Sequence, residues 1–255
     1  MRMMQHNTRK VLGMAGSVGV AVLAITAGAE AMSAAPAPEA QVQEIATSRA
    51  VPGATNQRIL VSLQERRLWL VQNGDTVFSA PVAIGKGGVF RFAGQSYEFH
   101  TPTGERRILA KLNDPDWIPP DWHYYEKAVA RGLEPIHLKE GDRYELSDGT
   151  FIEVRGNEIG RINRWGNYYP FTPGSEIIFD GNIFIPPLGS PQRKIPDALG
   201  PVKLSLGDGY LIHGTHRYNE QSIGEAASHG CIRMRNEDVA HLSQIVQIGT
   251  PVVIY

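Results

Sequence analysis

The sequence predicts a mainly β protein with one or two short helices. Glycine and proline are frequent, at 27 and 17 of 255 residues, which is typical of a chain with many turns. Residues 58–63, 67–72 and 76–82 are short apolar runs, and Asn73-Gly74 between the last two is a strong hairpin signal. Only residues 237–246 show a clear helical period. Together these observations favour a strand-rich, loop-rich domain.

The other predicted elements are shorter or less regular, and several proline and glycine residues separate them. In chain order they are a glycine-rich loop at 84–94, a turn at 99–104, a strand at 106–112, one or two helical turns at 126–131, a hairpin with strands at 144–146 and 150–154, strands at 159–169 and 177–185, and a terminal strand at 252–255.

The N-terminus has the pattern of an export signal. Basic residues precede an uncharged stretch at 11–27, and small residues then fit a cleavage site near Ala31. A retained membrane anchor is the alternative, but this stretch is short and weakly apolar for a stable span. We therefore predict a signal peptide at 1–31, a flexible linker at 32–57, a folded domain at 58–255, and no stable membrane span after cleavage.

Charge and cysteine content narrow the function classes. The chain has 25 Lys and Arg residues against 26 Asp and Glu residues, so it lacks the basic surface expected of a nucleic-acid-binding protein. Cys231 is the only cysteine, which excludes an internal disulfide. In an exported protein a lone thiol is either buried and inert or retained for its reactivity.

Two segments carry the candidate chemistry, residues 210–215 (Tyr-Leu-Ile-His-Gly-Thr) and 228–234 (Ser-His-Gly-Cys-Ile-Arg-Met). An apolar run enters each segment, which suggests strand ends that bring His213 and Cys231 together. A thiol attacks a carbonyl as the thiolate, and an imidazole can take its proton and later protonate the leaving amine. Backbone N–H groups at Gly230 and Cys231 are candidates for an oxyanion hole.

Other roles for these residues remain open on spacing alone. A cysteine between glycine and isoleucine is often a small buried residue, and His213 in an apolar run can be a core histidine. His213, His229 and Cys231 could also bind zinc, but structural zinc sites usually show paired ligands at short spacing and a fourth ligand. We therefore predict no metal and no cofactor.

The same residues resemble the signature of the L,D-transpeptidase catalytic domain, the YkuD-like family. Ser-His-Gly-Cys-Ile-Arg at 228–233, with His-Gly-Thr at 213–215, carries the resemblance. Further stretches resemble those of the family: Pro-Val-Ala-Ile-Gly at 81–85, Thr-Pro-Thr-Gly at 101–104, Asn-Asp-Pro-Asp-Trp-Ile-Pro-Pro at 113–120, Gly-Asp-Gly-Tyr at 207–210 and the closing strand at 249–254.

The resemblance implies a β-sandwich or barrel-like catalytic domain in the periplasm or cell envelope. It implies that Cys231 attacks the L-centre carbonyl of the third residue of a peptidoglycan stem peptide. D-Ala then leaves, and an amine acceptor takes the acyl group, giving a 3→3 cross-link or attachment of an envelope lipoprotein. His213 would be the proton donor and acceptor, Gly230 would contribute to the oxyanion hole, and His229 would line the site.

Three further residues are candidates for substrate binding. Arg233 has a guanidinium suited to a substrate carboxylate, although it can equally orient the loop by bonding backbone carbonyls. Ser228 and Thr215 are candidates as well, and the alternative is that they hold turns through side-chain to backbone bonds.

One segment departs from the compact family pattern, at about 121–196. Such an insertion, rich in Trp and Tyr, would form a lid whose aromatics grip a glycan or stem peptide, or those aromatics would pack a small core of their own.

Two other functions stay open at this point. One is an L,D-carboxypeptidase or hydrolase that uses water as the acceptor at the same site. The other is a non-enzymatic wall-binding protein with a vestigial Cys231.

Overall fold

The computed structural model describes residues 56–255, so the predicted signal peptide and nearly all of the predicted linker lie outside the described residues. The helices are α1 (Asp121–Arg131) and α2 (Asn236–Ile245). The strands are β1 (Gln57–Ser62), β2 (Arg67–Gln72), β3 (Asp75–Pro81), β4 (Ile84–Gly85), β5 (Val89–Phe92), β6 (Gln95–Glu98), β7 (Gly104–Arg107), β8 (Ala110–Asn113), β9 (Glu134–His137), β10 (Arg143–Glu145), β11 (Phe151–Arg155), β12 (Glu158–Ile162), β13 (Tyr168–Pro170), β14 (Ile177–Phe179), β15 (Asn182–Ile185), β16 (Val202–Ser205), β17 (Leu211–His213), β18 (Ala226–Ser228), β19 (Ile232–Arg233) and β20 (Pro251–Ile254).

Two sheets and one helix enclose the main core. The first sheet has the order β3-β2-β1-β20-β7, with β20 parallel to β1. The second has the order β19-β17-β16-β8, and α2 packs against β16 and β17. None of the sheets formed by residues 56–255 closes on itself, so the mainly β, sandwich-like expectation is confirmed and a closed barrel is not found.

Alternation of apolar residues explains why these strands face each other. Because strand side chains alternate between two faces, the inward positions of β1, β2 and β20 are buried, and β16, β17 and α2 supply the opposite wall. The buried residues of this core include Ile59, Val61, Leu68, Leu70, Leu204, Ile212, Ile232, Val239, Leu242, Val252 and Ile254.

Residues 121–196, which we call the inserted segment, build separate sheets and separate cores. The order β10-β11-β12-β13 makes one sheet and β14-β15-β9 another. One small core gathers around Ile152, Ile159 and Phe184, and α1 packs Tyr124 and Ala128 on β15 in a second. The segment therefore has its own hydrophobic support.

Arg193 ties the two ends of the inserted segment together. Its side chain is almost fully buried and donates to the carbonyl oxygens of Pro119, at 2.8 Å, and Pro186, at 2.7 Å. It also pairs with Asp121 at the start of α1, at 2.5 Å. A buried guanidinium is tolerated because its donors are satisfied in this way.

We expect Arg193→Leu to lower the free energy of unfolding by about 3 kcal/mol, because it leaves buried carbonyl oxygens and an acidic partner without their donor. Arg155→Leu is the matched control. Arg155 pairs with Glu153 on the surface, and such pairs contribute below about 1 kcal/mol. Urea unfolding measures both variants, and equal losses would contradict the proposed tie.

The strands β1, β2, β3, β11 and β20 and helix α2 confirm the predicted elements to within one or two residues. Five predictions need correction. The predicted loop at 84–94 contains β4 and β5, and β5 pairs with β6 in a hairpin. The predicted strand at 106–112 is interrupted between β7 and β8. Helix α1 begins at Asp121, five residues before the predicted helical turns. The predicted strands at 159–169 and 177–185 are each a hairpin.

No helix within residues 56–255 has the length and apolar character needed to cross a bilayer.

Candidate active site

Strands β17 and β19 set the relation between the two candidate catalytic residues. They run parallel, with Ile212 opposite Ile232 and His213 opposite Arg233. Both isoleucines are buried in the main core. Because successive side chains alternate, His213 and Arg233 point away from that core, and Cys231, two residues before Arg233, lies on their side. Cys231 and His213 are thus diagonal neighbours on one face.

Hydrogen bonds hold the turn at residues 228–231, which we call the cysteine turn. Ser228 Oγ donates to the Cys231 carbonyl at 2.6 Å and accepts from the Gly230 N–H at 3.1 Å. Thr101 Oγ1 donates to the Gly230 carbonyl at 2.8 Å and accepts from the Gly85 N–H at 2.7 Å. One buried hydroxyl therefore connects the cysteine turn to β4.

Gly230 is required at its position by conformation and by space. Its φ of +133° is in a region that side-chain-bearing residues rarely adopt. A Cβ there would lie 3.1 Å from the carbonyl oxygen of His100 and 3.3 Å from the Tyr210 ring. The close approach to the segment before the Thr-Pro-Thr-Gly motif explains why glycine precedes the cysteine.

The sequence predicts that the backbone N–H groups of Gly230 and Cys231 are both available for an oxyanion, but only one of them is free in the cysteine turn among residues 56–255. The Gly230 N–H is bonded to Ser228 Oγ, so it is occupied in this arrangement. The Cys231 N–H has no acceptor among residues 56–255. A developing oxyanion near the thiol would thus find the Cys231 N–H first, and Gly230 would have to exchange its partner to contribute.

The thiol of Cys231 is half-buried beside a backbone carbonyl. Its Sγ points to the carbonyl oxygen of Gly209 at 3.8 Å, and it makes no hydrogen bond to His213 within the described range. Burial raises the pKa of Cys231, while a backbone hydrogen bond from Leu211 and the charge of Arg233 act in the opposite direction. Attack therefore needs a base, since the thiol alone is poorly ionised at neutral pH.

The imidazole of His213 is buried and unprotonated at neutral pH. Its Nδ1 has no hydrogen-bond partner among the described residues. Burial lowers the pKa of His213 to about 4, with a further decrease from the Arg233 charge and an opposing effect of backbone hydrogen bonds with Gly214 and Leu199. The imidazole is thus neutral at pH 7 and can accept a proton.

Arg233 lies directly beside His213 and donates from Nη1 to Ser222 Oγ at 3.1 Å. Burial lowers its pKa, and Cys231 raises it. Its hydrogen bond is to the segment that follows β17. Its positive charge favours the thiolate form of Cys231.

Ser228 and Thr215 both engage in turns. The two Ser228 hydrogen bonds stay inside the cysteine turn. Thr215 is buried, and its N–H donates to Asn236 Oδ1 at 2.8 Å, so the first residue of α2 holds the chain that follows His213.

His229 is enclosed by residues from two other parts of the chain. Its ring stacks on Trp122 at 4.5 Å and meets the Phe99 ring edge-on at 4.7 Å. Its Nε2 lies 2.7 Å from Glu126 Oε2 and 3.1 Å from Lys86 Nζ. Trp122 and Glu126 belong to α1, so the inserted segment contacts the cysteine turn directly.

Some aromatic residues of the inserted segment pack in its own core, as one of the two expectations had it, and others contact the main domain; the expected grip on a glycan or stem peptide stays a prediction. Tyr124 packs in the α1 core, whereas Trp122 covers His229 and Tyr125 stacks on Phe92 at 4.5 Å. Trp165 is 84% exposed, so it belongs to neither group.

The sequence indicated the candidate catalytic residues but not the residues that contact and support them. Thr101 was visible only as part of a family-like motif, and nothing local indicated its bond to Gly230. Lys86, Glu126 and Asn236 gave no signal, because their partners are distant in the chain, up to 143 residues for Lys86 and His229.

Comparison with known proteins gives one family over most of the chain. The family model described as YkuD, the L,D-transpeptidase catalytic domain, matches residues 56–254. A protein named L,D-transpeptidase YkuD of Bacillus subtilis strain 168 is 31% identical over 192 residues, covering 72% of this chain and 96% of the relative.

Two further proteins are similar to this chain. A protein named L,D-transpeptidase YkuD of Bacillus licheniformis is 34% identical over 152 residues, covering 59% of this chain and 74% of the relative. The solved structure of an L,D-transpeptidase from Mycobacterium smegmatis has 13% identity and a TM-score of 0.41, covering 79% of this chain and 59% of that one.

Proposed function

Because the chain belongs to the YkuD family of L,D-transpeptidase catalytic domains, we propose that it is a peptidoglycan L,D-transpeptidase with Cys231 as the nucleophile and His213 as the proton donor and acceptor. The observation that supports this most directly is the pairing of β17 with β19, which brings His213 beside the segment of Cys231 and Arg233. The buried imidazole is neutral at pH 7, and its Nδ1 has no hydrogen-bond partner among residues 56–255.

The proposed first half-reaction forms an acyl-enzyme. His213 takes the thiol proton, and Sγ attacks the L-centre carbonyl carbon of the third stem residue. The Cys231 N–H stabilises the oxyanion, joined by Gly230 if its N–H leaves Ser228. The C–N bond to D-Ala then breaks, His213 returns the proton to the departing amine, and a thioester remains.

The second half-reaction transfers the acyl group. An amine acceptor attacks the thioester, gives its proton to His213 and regenerates the thiol. A stem-peptide amine as the acceptor yields a 3→3 cross-link, and a lysine of an envelope lipoprotein yields protein attachment. Water as the acceptor yields L,D-carboxypeptidase activity instead.

We propose that these steps take place outside the cytoplasm. The basic N-terminal residues, the uncharged stretch at 11–27 and the small residues near Ala31 support export to the periplasm or cell envelope. Peptidoglycan stem peptides are then the donor, and a stem peptide or a lipoprotein is the acceptor.

Incubation with tetrapeptide-containing muropeptides tests the proposal. Wild-type protein is expected to produce 3→3 dimers or tripeptides by mass spectrometry, and Cys231→Ala to produce neither, because the thioester cannot form. Dimers indicate an amine acceptor and tripeptides indicate water. Equal product from both proteins, or failure of a carbapenem to label wild-type Cys231, would favour a non-enzymatic wall-binding protein.

A further inference from the structure

Helix α1 presents two side chains to His229. Trp122 and Glu126 are four residues apart and therefore lie on one face of the helix, one turn from each other. The indole stacks on the imidazole with ring planes 24° apart, and the carboxylate reaches its Nε2 at 2.7 Å. The orientation of the His229 ring is thus set by both its face and its edge.

The carboxylate also determines which ring nitrogen carries the proton. A carboxylate only accepts hydrogen bonds, so the short contact places the proton of the neutral imidazole on Nε2. Lys86 Nζ lies 2.9 Å from the other carboxylate oxygen and 4.7 Å from the centre of the Phe99 ring. The Glu126 carboxylate therefore contacts both Lys86 and His229, one through each oxygen.

The charges around this cluster favour an ionised Glu126 and a neutral His229. Burial raises the pKa of Glu126, but the hydrogen bonds from Lys86 and His229 and the charge of Lys86 outweigh it and hold the pKa below its usual value. Burial lowers the pKa of His229, with Glu126 opposing and Lys86 and Arg233 adding to the decrease.

Helix α1 is itself fixed, so it can serve as a support. Arg193 holds its first residue, Asp121, and Tyr124 and Ala128 pack its buried face against Ile183 and Ile185 of β15. The His229 ring is thereby attached to a rigid element, and His229 is two residues before the nucleophile.

We propose that Glu126 is a positioning residue for the cysteine turn: by accepting from His229 Nε2 it fixes the ring, and through the adjoining backbone it fixes the direction in which Cys231 is presented. The contribution of the inserted segment to the reaction is then geometric support of the nucleophile. The expected effect on acylation rests on the proposed function, whereas the expected effect on the His229 ring rests on the contacts alone.

Three variants test the proposal in the full folded protein. Glu126→Ala removes the acceptor. Glu126→Gln keeps a group that can bond Nε2, because either end of the amide fits one tautomer of the ring. Glu176→Gln is the matched control, since Glu176 bonds the same helix but does not contact His229.

The kinetic readout is acylation of Cys231 by a carbapenem, separated into binding and the first-order acylation step. We expect Glu126→Ala to slow the acylation step about ten- to hundredfold, as for a misplaced nucleophile, with binding changed less than about twofold. Glu126→Gln should recover most of the rate, and Glu176→Gln should match the wild type. Equal rates for Glu126→Ala and wild type, equal losses in Glu126→Ala and Glu176→Gln, or no recovery by glutamine would each overturn the proposal.

A spectroscopic readout does not depend on the reaction. In ¹⁵N-histidine NMR spectra the wild-type His229 should carry its proton on Nε2, and Glu126→Ala should shift it to Nδ1, because Lys86, 3.1 Å from Nε2, then donates to that nitrogen. An unchanged tautomer in Glu126→Ala would overturn the proposal. A wild-type protein that transfers no acyl group but shows the tautomer change would refute the proposed function and leave the positioning of His229 intact.

Discussion

Replacing His213 with glutamine is expected to slow acylation of Cys231 about 10²- to 10⁴-fold at pH 7, the usual contribution of general acid–base catalysis. The thiol has a raised pKa because of burial, so without a base it is rarely the thiolate at neutral pH. The measurement is the rate of carbapenem acylation followed by mass spectrometry, and His241→Gln, an exposed histidine on α2, is the control that should retain the wild-type rate.

The pH dependence of the same two proteins should differ in form. Because the pKa of His213 is lowered to about 4, the imidazole of the wild type stays neutral and active as a base down to pH values near 4, and the rate should fall only below that. In His213→Gln the rate should instead rise about tenfold per pH unit toward the thiol pKa, because the thiolate must form by ionisation alone. Parallel profiles would contradict the role of His213.

Replacing Thr101 with valine is expected to destabilise the protein by about 3 kcal/mol and to slow acylation about 10²-fold. Valine has nearly the same shape, but it leaves the Gly85 N–H and the Gly230 carbonyl without their shared partner in a buried place. Urea unfolding gives the first quantity and carbapenem acylation the second.

Two variants separate the hydroxyl from the position. Thr101→Ser keeps both hydrogen bonds and should remain close to the wild type. Thr103→Val changes an exposed threonine of the same motif and should have little effect. Equal free energies of unfolding and equal acylation rates in Thr101→Val and Thr103→Val would show that the Thr101 hydrogen bonds between β4 and the cysteine turn contribute to neither stability nor acylation.

The parts of the fold that could be predicted are those with local signals. Asn73-Gly74 defined the β2–β3 hairpin, and the spacing of Val239, Leu242 and Val246 defined α2. The β5–β6 hairpin was missed because its turn places Ala93 at φ +47° before Gly94 at +80°, and alanine is an unusual residue at such a position. The predicted start of helix α1 is too late because Pro120 precedes the helix and provides no side-chain cap, so the sequence has no capping signal at Asp121.

The residues of the candidate site also fall into those with a local sequence signal and those without one. His213 and Cys231 could be identified as candidates because their chemistry and spacing are unusual, and the parallel pairing of β17 and β19 brings their two segments together. The partners that hold the cysteine turn come from β4, the Thr101 segment and α1, and such contacts between distant segments depend on the whole fold. No local pattern in the sequence encodes the bond between Glu126 and His229, which are 103 residues apart.

The backbone bridge at the base of the inserted segment has a consequence for how this domain can change over evolution. Trp117 and Ile195 pair in antiparallel fashion, with N···O distances of 2.9 and 2.8 Å, so the chain leaves the main domain and returns to it at the same point. Segments whose ends meet are those that can be lengthened, shortened or exchanged without disturbing the host. A chain that exchanged this segment would also exchange Trp122 and Glu126, which contact His229. Under the positioning role proposed above, a new segment would then change how Cys231 is presented without any change in the sequence of the cysteine turn.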